Sequence, residues 1–279
     1  LLSKSVASFA HGYFLTRKQV GVAVEGGADA AIIACRDVAR TLPAGHCVFK
    51  VDQRNAFNCA NRAALLDLVA RDFPTLYPYA RAAYGAHTWL YFGEHRIDSQ
   101  SGVQQGCPLG PLFFSVVMAE ARRAALVLMR ERDSSLAELD FEAWFLDDGT
   151  VAGPVDAVIA YVRALEETCA RFSLQFNRAK CEVICREGEA LPDFFADVTH
   201  FTTADFELLG VPCGDDASVT TACDALARKV EQRLGRVAQL SDPQVVFSLL
   251  RHCGGFPLSN FLARAAGPLG RDSFAAIAK

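Results

Sequence analysis

Two runs rich in strand-forming residues, 141–146 and 150–153, face each other across Asp147-Asp148-Gly149, the sharpest hairpin signal in the chain. The flanks Trp144-Phe145-Leu146 and Val151 are apolar, so such a hairpin has to be buried on at least one face. That sets two adjacent carboxylates on a rigid apolar support. A polar turn needs only one Asp before its Gly, and a turn is the plain reading of the tripeptide taken alone. Adjacent carboxylates repel, however, and holding both against apolar surroundings is costly unless a cation compensates. Hard divalent ions with oxygen ligands are the usual compensation. Two of them roughly 4 Å apart, held by three carboxylates, make a phosphoryl-transfer site. The third carboxylate has to come from another strand end, and Asp52 closes the apolar run Cys47-Val48-Phe49-Lys50-Val51. Asp52 equally suits the N-cap of a following helix, and position alone leaves both readings open.

Helices and strands alternate irregularly around this hairpin. Periodicity predicts helices over 28–40, 61–71, a further stretch ended by Gly85, 109–131 and 155–172. Strands are expected at 47–52, 88–92, 96–100, 174–176, 181–185 and 207–211. The last sixty or so residues read as helical, with breaks at Ser241-Asp242-Pro243 and Gly254-Gly255, and a composition shift near 215–221 marks where this tail begins. The order argues for an α+β layer over a doubly wound parallel sheet. No GxGxxG or GxxxxGK[ST] run supports a dinucleotide or P-loop site.

With 279 residues, 51% of them hydrophobic, the chain suits one large or two modest domains with a real core. No apolar run approaches the ~18 residues of a membrane span and no signal-peptide pattern opens the chain, so no membrane partner is expected. Residue 1 is not Met, which reads as a fragment of a longer frame. The 10 cysteines include no CxxC pair, and Cys181 and Cys185, alternating with apolar residues, read as packed thiols. An intracellular protein with reduced thiols follows. A net charge of −4 sits awkwardly with phosphate binding, which relies on Lys and Arg, yet after Ala225 eight basic residues face three acidic ones. That tail could track a phosphate backbone or form a solvated helix face.

Several motifs together resemble a known family. Val51-Asp52-Gln53-Arg54-Asn55-Ala56-Phe57-Asn58 resembles the first polymerase motif of reverse transcriptases, an Asp followed five residues later by an aromatic. Gly102-Val103-Gln104-Gln105-Gly106-Cys107-Pro108-Leu109-Gly110-Pro111-Leu112 is similar to the second, a Gly- and Pro-rich stretch opening a long helix. Phe145-Leu146-Asp147-Asp148 matches the aromatic-x-Asp-Asp box, and Asn177-Arg178-Ala179-Lys180-Cys181-Glu182 resembles the Asn-x-x-Lys-x-Glu element after it. Leu208-Leu209-Gly210-Val211-Pro212 resembles the primer-grip turn. Five elements in order are far more specific than any one. The overall look is that of non-LTR (LINE-like) retroelement enzymes, from about Lys18, where Gln19-Val20-Gly21-Val22 precedes Glu25-Gly26-Gly27, to the thumb-like Leu249-Leu250-Arg251-His252-Cys253.

The resemblance implies a right-hand polymerase palm, an antiparallel sheet packed on helices, with partial fingers and a helical thumb-like C-terminal region. Residues 1–46 would be partial fingers, 47–215 the palm with a fingers insertion at about 60–105, and 216–279 the thumb-like region. It implies RNA-templated DNA synthesis, with two Mg2+ ions (Mn2+ substituting), an RNA template, a DNA primer and dNTPs. Asp52 and Asp147 would hold the ions, with Asp148 alongside. Phe57 would sit under the incoming sugar and exclude a 2′-hydroxyl, though it also suits a core position. Gln53, Gln105 and Gly106 would approach the nucleotide, Lys180 the pyrophosphate, and Leu209-Gly210 the primer. For the last two, a surface Lys and an ordinary turn are the bland alternatives. Cys107 departs from the acidic residue many relatives carry after Gln-Gly. Leu1-Leu2-Ser3-Lys4 looks like the end of an upstream fingers motif, so an N-terminally truncated and catalytically impaired fragment that only folds or binds nucleic acid is the alternative function. A two-metal nuclease would explain the carboxylates but neither the Gln-Gln-Gly loop nor Phe57. Nuclear over cytoplasmic location is suggested by the resemblance alone.

Overall fold

The computed structural model describes residues 3–254 and 256–275. Leu1 and Leu2 of the upstream motif, Gly255 of the expected helix break and Lys279 of the basic tail lie outside the described residues. The chain opens with α1 (Lys4–Thr16), capped by the Ser3 hydroxyl, which accepts from the Val6 N–H. Next come α2 (Gly27–Arg40), β1 (His46–Val51) and the single turn α3 (Ala56–Cys59). Asn61 caps α4 (Arg62–Asp72), and α5 (Tyr77–Tyr84) ends at Gly85. The hairpin of β2 (Thr88–Phe92) and β3 (His95–Ser99) precedes α6 (Gly110–Arg132). Then follow β4 (Phe141–Phe145), β5 (Asp148–Pro154), α7 (Val155–Ala170), β6 (Glu182–Cys185) and β7 (Thr199–Thr202). A two-residue pair, β8 (Glu207–Leu208) and β9 (Val211–Pro212), leads to α8 (Asp216–Val237), α9 (Pro243–Leu249), α10 (Phe256–Ala266) and α11 (Arg271–Ala275).

The main sheet runs in the order β4-β5-β1-β6-β7, and β5 pairs antiparallel with both β4 and β1. Two expectations need correction. The strand expected at 174–176 is a single bridge between Gln53 and Phe176. Its backbone is engaged past the end of β1 instead, where Arg54 N–H donates to Gln175 O (2.8 Å) and Asn177 N–H to Asp52 O (2.9 Å). The strand expected at 207–211 folds as the β8–β9 hairpin. Leu209 and Gly210 at its tip both take left-handed φ, 51° and 74°, as a two-residue turn of this hand requires.

The chain divides into two compact units. The first comprises the described residues up to Gly27 with Gly45–Val183 and Ala190–His200. Its core lies beneath β1, β4 and β5, where Phe113, Phe114, Val116, Val117 and Met118 of α6 and Val158, Tyr161, Val162 and Leu165 of α7 are buried. One polar network crosses it. The Glu142 carboxylate on β4 takes both arms of Arg122 from α6, the Tyr161 hydroxyl from α7 (2.8 Å) and the Trp144 indole N–H (2.9 Å). Both long helices are thereby tied to one strand. The second unit comprises Ala28–Ala44, Ile184–Glu189 and the described residues from Phe201 onward. In it Val219 and Cys223 of α8 pack with Ala266 of α10, while Arg40–Asp216 and Arg264–Asp29 pair at the surface.

Candidate active site

The hairpin that dominates the sequence is real, but its turn lies two residues earlier than the Asp-Gly pattern predicts. Phe145 pairs with Asp148, so Leu146 and Asp147 form the two-residue turn and Asp148 already belongs to β5. Leu146 takes φ 60°, a conformation that costs a non-glycine residue on the order of 1 kcal/mol. Gly149, read as the turn glycine, sits inside the strand opposite Trp144. A Cβ there would come within 2.5 Å of the indole ring, so its missing side chain makes room for Trp144. The strained turn is held from outside the hairpin. The Gln19 amide donates through Nε2 to Leu146 O (3.0 Å) and accepts through Oε1 from Leu146 N–H (2.8 Å). The residues beside Gln19 pair with β4, with Val20 N–H on Trp144 O (2.7 Å) and Trp144 N–H on Lys18 O (2.8 Å).

Asp52 follows β1, whose Val51 lies opposite Gly149, so the strand ends deliver all three aspartates to one end of the sheet. The N-cap reading of Asp52 does not hold: Asn55 precedes α3, and Asn61 caps α4. The Asp52 backbone is pinned by the Asn-x-x-Lys-x-Glu element, its N–H on Cys181 Sγ (3.4 Å) and its carbonyl accepting from Asn177 N–H. Cys181 is thus more than a packed thiol, and burial pushes that thiol up to about 11.

Burial, then repulsion from Asp52, raises the Asp147 carboxyl above its ordinary value. Asp148 is exposed at the surface, yet desolvation by the protein around it, then repulsion from Asp147 and Asp52, pushes its carboxyl up to about 6. Lys50 on β1 works against that rise, while its ammonium pairs with Glu182 on β6 (2.5 Å). Among the described residues no three acidic, His or Cys side chains stand close enough together to hold a metal ion as they are. The aspartates share a field rather than a finished cage. The donor set, all hard carboxylate oxygens with negative charge in excess, fits a divalent cation such as Mg2+.

A second cluster forms around Phe57. Its ring stacks on Phe114 at 4.4 Å between centroids and 17° between planes. The Gln-Gln-Gly loop is stitched to the same turn: Val103 N–H donates to Phe57 O (2.7 Å) and Gly102 N–H to Ala60 O (2.8 Å). The buried Arg62 reaches back through Nε to Gly102 O (2.8 Å) and through Nη2 to Ser99 Oγ (2.9 Å). Gly102 sits at φ 67° with Phe57 O only 2.3 Å from where a Cβ would stand, so this crossing admits only glycine. The result is a cavity of about 440 Å³ lined by Phe57, Gln104, Gln105, Gly106, Cys107, Pro108 and Pro111. Cys107, in the loop ahead of α6, has its thiol drawn below the usual value despite burial, by the Tyr84 and Tyr79 hydroxyls and backbone N–H groups.

The structure therefore sets Asp52, Asp147 and Asp148 at neighbouring strand ends and Phe57, Gln105 and Gly106 around one cavity. Gln53 joins neither, because its side chain is buried with Nε2 on Met118 Sδ (3.3 Å). Lys180 stands exposed at the end of a 3-10 turn, and Leu209 and Gly210 occupy the β8–β9 tip in the second unit. Sequence reasoning missed the roles of Gln19, Lys50 and Arg62. Each makes its contact with a residue far off in the chain, so no local pattern marks it.

Comparison with known proteins follows the same line. The family described as reverse transcriptase (RNA-dependent DNA polymerase) matches residues 5–213, well over half of the chain. The chain is 31% identical over 146 residues to the retrotransposable element SLACS 132 kDa protein of Trypanosoma brucei gambiense, covering 50% of this chain and 12% of that protein. Apo telomerase from Candida tropicalis is similar with a TM-score of 0.53 at 12% identity, over 98% of this chain and 50% of that one. Its form truncated from the C-terminal domain gives 0.51 at 13%, over 75% and 43%. The chain thus spans half or less of each of these relatives. At such identities the likeness to telomerase is one of fold, the α+β right-hand polymerase arrangement.

Proposed function

The chain belongs to the reverse transcriptase (RNA-dependent DNA polymerase) family, and from that premise we propose that it extends a DNA primer on an RNA template as part of a non-LTR retroelement protein. The observation that carries this reading is the shared cavity of Phe57, Gln105 and Gly106, residues from two separate motifs that a polymerase needs around one nucleotide.

Asp52 and Asp147, with Asp148 alongside, are the groups that would hold two divalent ions. Ions bound there would acidify the primer 3′-hydroxyl and neutralise the triphosphate and the departing pyrophosphate. The Phe57 ring, backed flat by Phe114, cannot swing away, so it discriminates against a 2′-hydroxyl by bulk. Gln105 offers an exposed amide, and Gly106, at φ 94° with open space where a Cβ would stand, lets the backbone approach the nucleotide. Lys180 supplies a mobile cation for pyrophosphate, and Leu209-Gly210 presses on the primer backbone. Gln53 is assigned to supporting the floor of the site, because its side chain turns inward.

Primer extension on poly(rA)/oligo(dT) with Mg2+ or Mn2+, using the chain within its full-length protein, tests the reading. Incorporation of dTTP is expected, with Asp147→Asn lowering it by at least about a thousandfold while the far-ultraviolet spectrum stays unchanged. No incorporation by the unmutated protein, or full activity in Asp147→Asn, overturns it.

A further inference from the structure

We propose that Gln19 is the positioning residue of this site: its amide holds the left-handed Leu146 turn and thereby sets the direction of Asp147. The inference rests on reading Asp147 as a metal-holding carboxylate, but its basis is separate. Gln19 is 1% exposed and lies 127 residues from Leu146 in sequence, yet it satisfies both the N–H and the carbonyl of that one residue. Its Oε1 also accepts from Gly21 N–H (3.1 Å), which fixes the amide in its own loop. The neighbouring Lys18 and Val20 backbone groups flank Trp144, so the support is anchored on β4 beside the turn it holds. Gly21 completes the fit, since a Cβ there would stand 2.8 Å from Leu146 N.

An ordinary two-residue turn would place glycine or asparagine at a left-handed position. This one carries leucine, and a buried glutamine supplies what the residue type does not. A side-chain amide suits the task because it presents one donor and one acceptor side by side, matched to one peptide residue. Glutamate keeps the size but would set a carboxylate oxygen against the Leu146 carbonyl. Methionine keeps the length and loses both hydrogen bonds. Without the clasp Leu146 can relax out of the left-handed region, and the next Cα–Cβ bond, that of Asp147, turns with it.

The test is Mn2+ binding, read by electron paramagnetic resonance of free Mn2+, together with steady-state extension kinetics on protein confirmed as folded. Gln19→Met is expected to weaken Mn2+ binding by about tenfold or more, as loss of an orienting partner does at metal sites. It should lower kcat by roughly a hundredfold with KM for dTTP little changed, because the Phe57 cavity is built by another loop. Leu146→Gly removes the conformational penalty, so Gln19→Met with Leu146→Gly should regain much of the Mn2+ affinity. A merely structural glutamine would lower the melting temperature and leave kcat per folded molecule and Mn2+ affinity alone, and that result overturns the inference. Simple addition of the two single losses in the double variant overturns it too. Asp147→Asn separates the premises. If it abolishes tight Mn2+ binding while Gln19→Met does not, the inference fails alone. If Asp147→Asn binds Mn2+ as the unmutated protein does, the metal reading fails and takes the inference with it.

Discussion

Two aspartates side by side on a β-hairpin are a local arrangement that works against the fold around it. Burial raises both, helped by repulsion from Asp52 at Asp147 and from Asp147 and Asp52 at Asp148, and Lys50, which opposes the rise at Asp148, also pairs with Glu182. Removing one charge should therefore stabilise the protein when no divalent ion is supplied. Asp148→Asn is expected to raise the melting temperature by a few degrees in EDTA at neutral pH, a modest effect because its carboxylate is partly exposed to solvent screening. An unchanged or lower melting temperature would mean the carboxylates are not in conflict. Phe57 belongs to the same scale. Its ring is pinned by Phe114, so Phe57→Val should open the sugar position, and the preference for dNTP over rNTP should fall by at least about tenfold. Unaltered discrimination would reduce Phe57 to a packing residue. Asp148 and Phe57 could both be singled out as candidates in the sequence because the motif around each is contiguous. Gly149 was legible as a residue and misread as a role, since only the folded strand shows the Trp144 indole that excludes a Cβ.

At the scale of elements, β4 is where the helices meet the aspartate hairpin. The pair Arg122–Glu142 is almost fully enclosed, and Glu142 also receives Trp144 and Tyr161. Arg122→Met leaves a buried carboxylate with neutral partners only, at a cost of about 3 kcal/mol or more. Adding Glu142→Gln should recover part of that loss, because the uncompensated charge is gone. Urea denaturation of both single variants and the double variant measures the coupling, and strict additivity would show that the pair is not one unit. Helix positions were largely readable from apolar periodicity, and α4, α6 and α7 lie within a residue or two of their expected bounds. The residues that connect them were not. Arg62 looks like any helix-start arginine, yet it spans to Ser99 and Gly102 and fastens the loop that shapes the Phe57 cavity.

Across the whole molecule, acidic side chains outnumber basic ones and many are held by arginine. Hydrogen bonding from Arg71 keeps Asp72 below its usual range, Arg123 does the same for Glu120, and Arg178 for Asp197. A carboxylate lowered on folding adds stability above its unfolded value and loses it as pH falls through the folded one. In EDTA the melting temperature should therefore rise modestly as pH falls from about 8 through about 6, where the raised Asp148 carboxyl takes up its proton, and drop steadily below about 4, where the arginine-held carboxylates protonate. Thermal scans across that range check it, and a profile still flat at about pH 3 would deny the ion pairs a part in stability. By itself the sequence determined the α+β class and the polymerase family and singled out Asp52, Asp147 and Asp148 as candidates, because each is written in contiguous residues or a short repeat of apolar spacing. Only the tertiary structure decided that the turn falls at Leu146-Asp147, that Gln53 faces inward, that Lys50 meets Glu182 and that Gln19 clasps Leu146. Those contacts join residues far apart in the chain, and a hydrogen bond or an ion pair acts over a few ångströms of space, whatever the separation in sequence.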